Sequence, residues 1–171
     1  MKKTNRQGFT LIELLIVMAI ISIIAAVVFV ALDPLTRFRD SRDAARWTDI
    51  SALVSAIKID QVDNGGAYMT AIDAMTPSVV YMITDGVAPA DCTVGNTNCG
   101  IDVATAASCV DLTGLVTDGY LGKVPTSPNG LGSWGTAGNK LTGYTIEKSA
   151  TGILTVRACE AENTGEIKVS R

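Results

Sequence analysis

The chain has 171 residues, of which 47% are hydrophobic, and a formal net charge of −3. That length suits one domain of ordinary size, and the apolar fraction is high for a soluble protein. Residues 1–8 contain Lys2, Lys3 and Arg6 but no acid, so the remainder of the chain is more acidic than the whole. An acidic chain without a basic cluster lacks the electrostatic footprint of a nucleic-acid-binding protein, which disfavours nucleic acid as a partner of the monomer.

The first predicted element is an apolar helix over residues 9–33, where Glu13 is the sole ionisable residue before Asp33. The 24 residues 9–32 would form a helix about 36 Å long, enough to cross a hydrocarbon core of about 30 Å. Positive charge beside such a segment stays cytoplasmic. The sequence therefore predicts a single-pass membrane protein with a cytoplasmic N-terminus and the rest of the chain outside.

The second predicted element is an amphipathic helix over residues 34–62. Asn64, Gly65 and Gly66 supply a stop signal just after it. Pro34 lies where the two helical patterns meet, and a proline inside a helix removes a hydrogen bond, so Pro34 should kink the helix. The apolar stripe of this second segment consists of Leu35, Phe38, Ala45, Ile50, Leu53, Val54 and Ile57.

Residues 63–171 read as a globular head, because short apolar segments alternate there with turn-forming residues. The clearest pattern is a hairpin between residues 143–147 and 153–159. A strand at 79–83, a helical turn at 112–116 and an edge strand at 166–169 are also predicted. The whole chain is then an α+β protein, in which one long helix packs on an antiparallel sheet of three or four strands.

The four cysteines all follow the apolar segment, where disulfides are expected in an extracytoplasmic domain. Free buried thiols are the alternative. Of the three possible pairings, we predict Cys92–Cys99, which closes a short turn-prone loop, and Cys109–Cys159. No CxxC pair or histidine accompanies them, so neither zinc nor another metal is expected.

The sequence offers little for catalysis. It contains no histidine, which excludes Ser-His-Asp and Cys-His sites, and no Walker A motif. Residues 130–135 match GxGxxG by letter, but no strand precedes them and no helix follows, so they are interpreted as a glycine-rich loop. We therefore expect a non-enzymatic protein without a cofactor.

The junction between the basic leader and the apolar segment is the informative motif. Gly8-Phe9-Thr10-Leu11-Ile12-Glu13 resembles the signal of prepilins, the family of type IV pilins and type II secretion pseudopilins. The resemblance implies that a prepilin peptidase removes leader residues 1–8 by cutting after Gly8 and methylates the amine of Phe9. It also implies that Glu13 pairs with that amine on the next subunit when membrane machinery assembles a helical homo-oligomer. A carboxylate in an apolar segment needs such a partner.

Three functions remain open at this stage. One is a structural subunit of a type IV pilus serving attachment, motility or DNA uptake, first held in the inner membrane and then part of an extracellular filament. The second is a type II secretion pseudopilin, part of a short periplasmic filament that helps to export folded proteins. Residues 119–128 resemble the tyrosine-leucine and paired-proline stretch of major pseudopilins and some pilins. Major pseudopilins often carry a calcium-associated acid where this chain has Ser127. The third is a membrane-tethered ligand-binding ectodomain, for which the apolar segment is a plain anchor and Glu13 an interfacial residue.

Overall fold

A computed structural model describes residues 8–130, 132–135 and 140–171. The chain divides into two compact units, one ending at Phe38 and the other beginning at Arg39. The first unit contains the apolar helix and the start of the helix that follows it. The second unit contains the remainder of that second helix and the head.

Helix α1 spans Leu11–Leu32 and helix α2 spans Pro34–Asp63. Between them Asp33 adopts a left-handed conformation, with φ 35° and ψ 71°. The interruption falls one residue before the proline expected to kink the helix, because a proline disfavours the right-handed helical conformation of the preceding residue. Pro34 itself occupies the first position of α2, where a missing N–H breaks no hydrogen bond.

The apolar face of α2 builds the core of the head. Ile50, Leu53 and Ile57 are fully buried and pack in one cluster with Tyr144 and Ile146 of the sheet. The helix ends at Asp63, followed by Gly65 and Gly66 with positive φ.

Within the described residues the head contains five strands: β1 Val80–Thr84, β2 Cys109–Asp111, β3 Leu141–Lys148, β4 Leu154–Ala158 and β5 Lys168–Ser170. They form one sheet in the order β2-β1-β3-β4-β5. The predicted hairpin is present as β3 and β4, in which Tyr144 lies opposite Ala158 and Ile146 opposite Val156. The same part of the chain also contains three short helices: α3 Thr70–Asp73, a 3₁₀ helix Cys92–Asn98 and α4 Thr113–Thr117.

The sheet is mixed and not wholly antiparallel as predicted. Strand β2 runs parallel to β1, with Met82 opposite Cys109 and Thr84 opposite Asp111. A parallel pair needs a long connection that returns the chain to the same end of the sheet, and residues 85–108 provide it. The described residues form five strands, more than the three or four predicted from the sequence.

The predicted disulfide pairing is wrong. The structure joins Cys92 to Cys109 and Cys99 to Cys159. Residues 92–98 form a 3₁₀ helix, and seven residues at about 2 Å each place Cys92 and Cys99 about 14 Å apart, beyond disulfide reach. The Cys92 N–H donates to the Ala106 carbonyl at 3.0 Å, which brings Cys92 near β2, while the Gly100 N–H donates to the Cys159 carbonyl at 3.1 Å.

An ionic group that is largely buried, the Arg46 cluster, connects α2 to the C-terminal part of the head. It comprises Arg42, Asp43, Arg46, Glu160 and Glu162. The Arg46 guanidinium is fully buried and donates to Asp43 at 2.8 Å, to Glu162 at 2.9 Å and to Glu160 at 3.2 Å. Arg42 also donates to both carboxylate oxygens of Glu162. Compensation of this kind is what allows several charges to remain in a protein interior.

The GxGxxG segment is part of the surroundings of this cluster. The Gly132 N–H donates to a Glu160 carboxylate oxygen at 2.6 Å, and the Trp134 indole N–H donates to the same oxygen at 2.7 Å. A Cβ at Gly130 would lie 2.6 Å from carboxylate oxygens of Glu160 and Glu162. The glycines therefore let a loop approach buried carboxylates closely.

Candidate processing and assembly segment

The predicted cleavage position is open in the structure. Gly8 and Phe9 are both exposed, and the Phe9 side chain is 90% exposed. A Cβ built at Gly8 meets no atom within 4 Å. Folding of the described chain therefore does not require glycine at this position, whereas an enzyme that binds the backbone closely would favour one.

The first turn of α1 is closed by a capping box between Thr10 and Glu13. The Thr10 N–H and hydroxyl donate to Glu13 Oε2 at 2.8 and 2.9 Å, and the Glu13 N–H donates to Thr10 Oγ1 at 3.3 Å. This arrangement satisfies backbone groups that have no partner within a helix. The sequence motif [ST]-x-x-[DE] carries the signal for it, but sequence analysis considered Glu13 only as a partner of an amine or an interfacial residue.

Helix α1 presents apolar side chains on all sides. None of its residues is buried, and the large hydrophobic residues from Leu11 to Leu32 are between 48% and 82% exposed. Within the described residues there is one helix long and apolar enough to cross a membrane. Water would solvate such a surface poorly, so α1 requires lipid or other apolar helices around it.

The other residues singled out in the sequence lie in the head. Tyr120 donates its hydroxyl to Asp63 at 3.0 Å, which raises the pKa of that hydroxyl. Ser127 accepts from Arg46 Nε at 3.0 Å. The serine that occupies the calcium-associated position of the resemblance is thus bound to an arginine, and no group of three or more His, Cys, Asp or Glu residues in the described chain could hold a metal ion.

Two features of the head were missed by sequence analysis. The Arg46 cluster joins residues more than a hundred positions apart in the chain, such as Asp43 and the backbone of Glu162, and no local pattern links them. The second feature is the requirement for glycine around Glu160. Arg46 itself carries a signal in the sequence, because it falls on the apolar stripe of α2 and a charge there needs buried partners.

Comparison with known proteins agrees with the geometry of α1. Residues 3–29 match the family model described as the prokaryotic N-terminal methylation motif. No curated protein and no solved structure matches the chain. The chain therefore carries the prepilin-type signal shared by type IV pilins and pseudopilins, which indicates a structural protein of that kind. The motif implies processing by a prepilin peptidase and assembly into a filament, and the apolar α1 fits membrane anchoring before assembly.

Proposed function

We propose that this chain is a structural subunit of a type IV pilus, anchored by α1 in the inner membrane and then incorporated into a surface filament. The supporting observation is that two features occur in the same segment. Residues 3–29 match a prepilin-type signal, and helix α1 exposes apolar side chains around its whole circumference. In the membrane lipid covers that helix. In a filament the α1 helices of other copies replace lipid.

Glu13 has two candidate roles in this assembly. Cleavage after Gly8 creates an amine at Phe9, one residue before the capping box. In an apolar bundle the Glu13 carboxylate compensates the Phe9 ammonium of a neighbouring copy, because either charge alone is costly there. The capping box gives Glu13 an intramolecular role that also needs its carboxylate oxygen but not its charge.

Two substitutions separate these roles. Glu13→Gln keeps an oxygen that can accept from Thr10, since glutamine serves in capping boxes, and removes the charge. Glu13→Leu removes both the cap and the charge. We expect both variants to insert normally, since removing a charge favours membrane insertion. We also expect both to lose filament assembly, because breaking a buried ion pair costs about 3–5 kcal/mol.

The measurement is the ratio of chain in sheared filaments to chain in the membrane, with cleavage after Gly8 checked by mass. Normal assembly of Glu13→Gln with loss in Glu13→Leu would assign Glu13 to capping alone. Normal assembly of both correctly cleaved variants would contradict the pairing role and favour a membrane-tethered ectodomain.

A pseudopilin function is the second candidate, because the prepilin-type signal is shared by both kinds of subunit and residues 119–128 resemble a stretch of major pseudopilins and some pilins. Deletion of the gene discriminates between the two. If the chain is a pilus subunit, deletion should remove the surface filaments. If the chain is a pseudopilin, deletion should reduce protein secretion, and the wild-type cells should bear no surface filament of this chain.

A further inference from the structure

A cavity opens on the face of the sheet that is turned away from α2. Successive residues of a strand point to opposite faces. Tyr144 and Ile146 pack in the core with α2, so Thr145 between them lies on the other face. The cavity there has a volume of about 320 Å³, and Thr145, Arg157 and Glu166 are among the residues that line it. Small-molecule sites begin at about this volume.

Arg157 has a buried donor that is not satisfied within the head. Its Nη1 donates to Glu147 Oε2 at 2.8 Å. Its Nε is buried and has no hydrogen-bond partner among the described residues, and the nearest carboxylate oxygen, Glu166 Oε1, lies 3.5 Å away. A buried donor without an acceptor is unfavourable, so an acceptor that enters the cavity would be stabilised at this nitrogen.

Glu166 does not supply that acceptor, because it is held by Lys168. Lys168 Nζ lies 2.6 Å from Glu166 Oε2, and this contact is the main cause that lowers the pKa of Glu166. The Glu166 side chain is 42% exposed, whereas the Arg157 side chain is 15% exposed. The guanidinium is therefore the buried end of the cavity, and the ion pair of Glu166 and Lys168 lies at its exposed border.

We propose that the cavity binds a ligand carboxylate, whose two oxygens accept from Nε and Nη2 of Arg157. Paired N–H groups of an arginine match the two oxygens of a carboxylate, whereas an amide offers one oxygen for two donors. Thr145 lies directly opposite Arg157 in the pairing of β3 with β4, which adds a hydroxyl on the same face. Ile101, which lines the cavity and is 42% exposed, suits a ligand with a small apolar body.

Two sources carry this group, a free organic acid and the C-terminus of a peptide, and the first test distinguishes them. The full chain in non-ionic detergent and carboxylate-free buffer is titrated calorimetrically with isovalerate and with N-acetyl-leucine. We expect saturable binding of at least one of them, and binding about tenfold weaker or less for its amide, because a charge-assisted pair is lost. Tighter binding of isovalerate assigns the site to small acids, and tighter binding of N-acetyl-leucine assigns it to peptide C-termini. No saturable binding, or equal binding of acid and amide, would overturn the proposal.

The second test changes the charged groups of the cavity. Arg157→Lys keeps the charge and an amine for Glu147 but loses the paired N–H groups, so it should weaken binding about tenfold or more. Glu166→Gln, at an exposed position, removes a negative charge from the border and should tighten binding severalfold. Asp118→Asn removes the same charge at an exposed position outside the cavity and should bind as the wild type does.

Near-ultraviolet circular dichroism checks that each variant is folded, and Glu166→Gln still tests the site if Arg157→Lys does not fold. Wild-type affinity in folded Arg157→Lys, or no gain in Glu166→Gln, would overturn the proposal.

Amide resonances of the full chain locate the ligand. Gly100 and Gly165 line the cavity, so their N–H signals should shift on titration, whereas those of Gly65 and Gly152 should not. Shifts confined to residues outside the cavity would contradict the assignment. None of these measurements requires a filament, so failure of this site and failure of the proposed function are distinguishable.

Discussion

Arg46 is the residue at which the buried charges of the head meet. Its guanidinium contacts three carboxylates, the Ser127 hydroxyl and the Pro128 carbonyl. It therefore joins α2, the loop after residue 126 and the segment that follows β4. Its removal leaves several acceptors and carboxylates buried without their cation.

The first prediction is that Arg46→Met strongly destabilises the head. Breaking a buried ionic group by removing one partner costs about 3–5 kcal/mol. Urea unfolding of the full chain in detergent, followed by the near-ultraviolet circular dichroism of the head, measures this loss. Lys123→Met, at an exposed position, serves as the control. A loss below about 1 kcal/mol, typical of surface substitutions, would show that the cluster does not hold the head together.

The second prediction concerns pH. Burial alone would raise the pKa of Asp43, but N–H donors of Asn163 and Glu162 and the Arg46 guanidinium outweigh burial and hold that pKa below its ordinary value. The hydrogen bond from Arg42 is the main cause that lowers the pKa of Glu162. A carboxyl with a depressed native pKa contributes fully above its unfolded pKa, about 4, and loses the contribution as pH falls through the native pKa.

The contribution of these two carboxylates to the free energy of unfolding should therefore stay constant between about pH 7 and 5. It should fall below about pH 4. Urea titrations at several pH values provide the measurement. Asp43→Asn should flatten the acid slope, whereas Asp118→Asn, at an exposed position, should leave it unchanged. An identical slope in wild type and Asp43→Asn would contradict the role assigned to Asp43.

Among the secondary-structure elements, the helices could be predicted from local sequence patterns more completely than the sheet. The end of α2 lies within one residue of the predicted one, because Asn64-Gly65-Gly66 is a local stop signal. The hairpin of β3 and β4 is likewise a local pattern. The pairing of β1 with β2 is not local, since residues 85–108 intervene, and no periodicity specifies whether such a pair is parallel.

The disulfides show the same limit. The spacing of Cys92 and Cys99 favoured a short loop, but the 3₁₀ helix between them separates the two sulfurs. Cys92 then pairs with Cys109 because the start of the 3₁₀ helix lies beside β2, and Cys99 pairs with Cys159 because its other end lies beside the end of β4. Of the candidate site, Gly8, Phe9 and Glu13 can be identified from the sequence because the motif is contiguous. The Arg46 cluster cannot, because its members are far apart in the chain and meet only in the folded head.

The third prediction is the disulfide map. Peptide mapping without reduction should yield linked peptides containing Cys92 with Cys109 and Cys99 with Cys159. Those bonds close loops with separations of 17 and 60 residues, so their removal should cost about 3 and about 4 kcal/mol in the chain-entropy model. Recovery of a peptide that joins Cys92 to Cys99 would refute the observed pairing.

At the scale of the whole molecule, the chain combines a surface that water does not solvate well with a head stabilised by its own core. Helix α1 has no buried residue, whereas the head contains an extensive buried cluster and two disulfides. Such a division suits a subunit that exchanges lipid for copies of itself while the head stays folded. The prepilin-type signal implies that the chain is cleaved before it assembles, so we propose that the assembled form is the processed form.

The N-terminus of the chain in sheared surface filaments tests that claim most directly. We expect intact-mass and fragment spectra to show Phe9 as the first residue, with one added methyl group on its amine. Filaments built from chain that still begins with Met1 would contradict it.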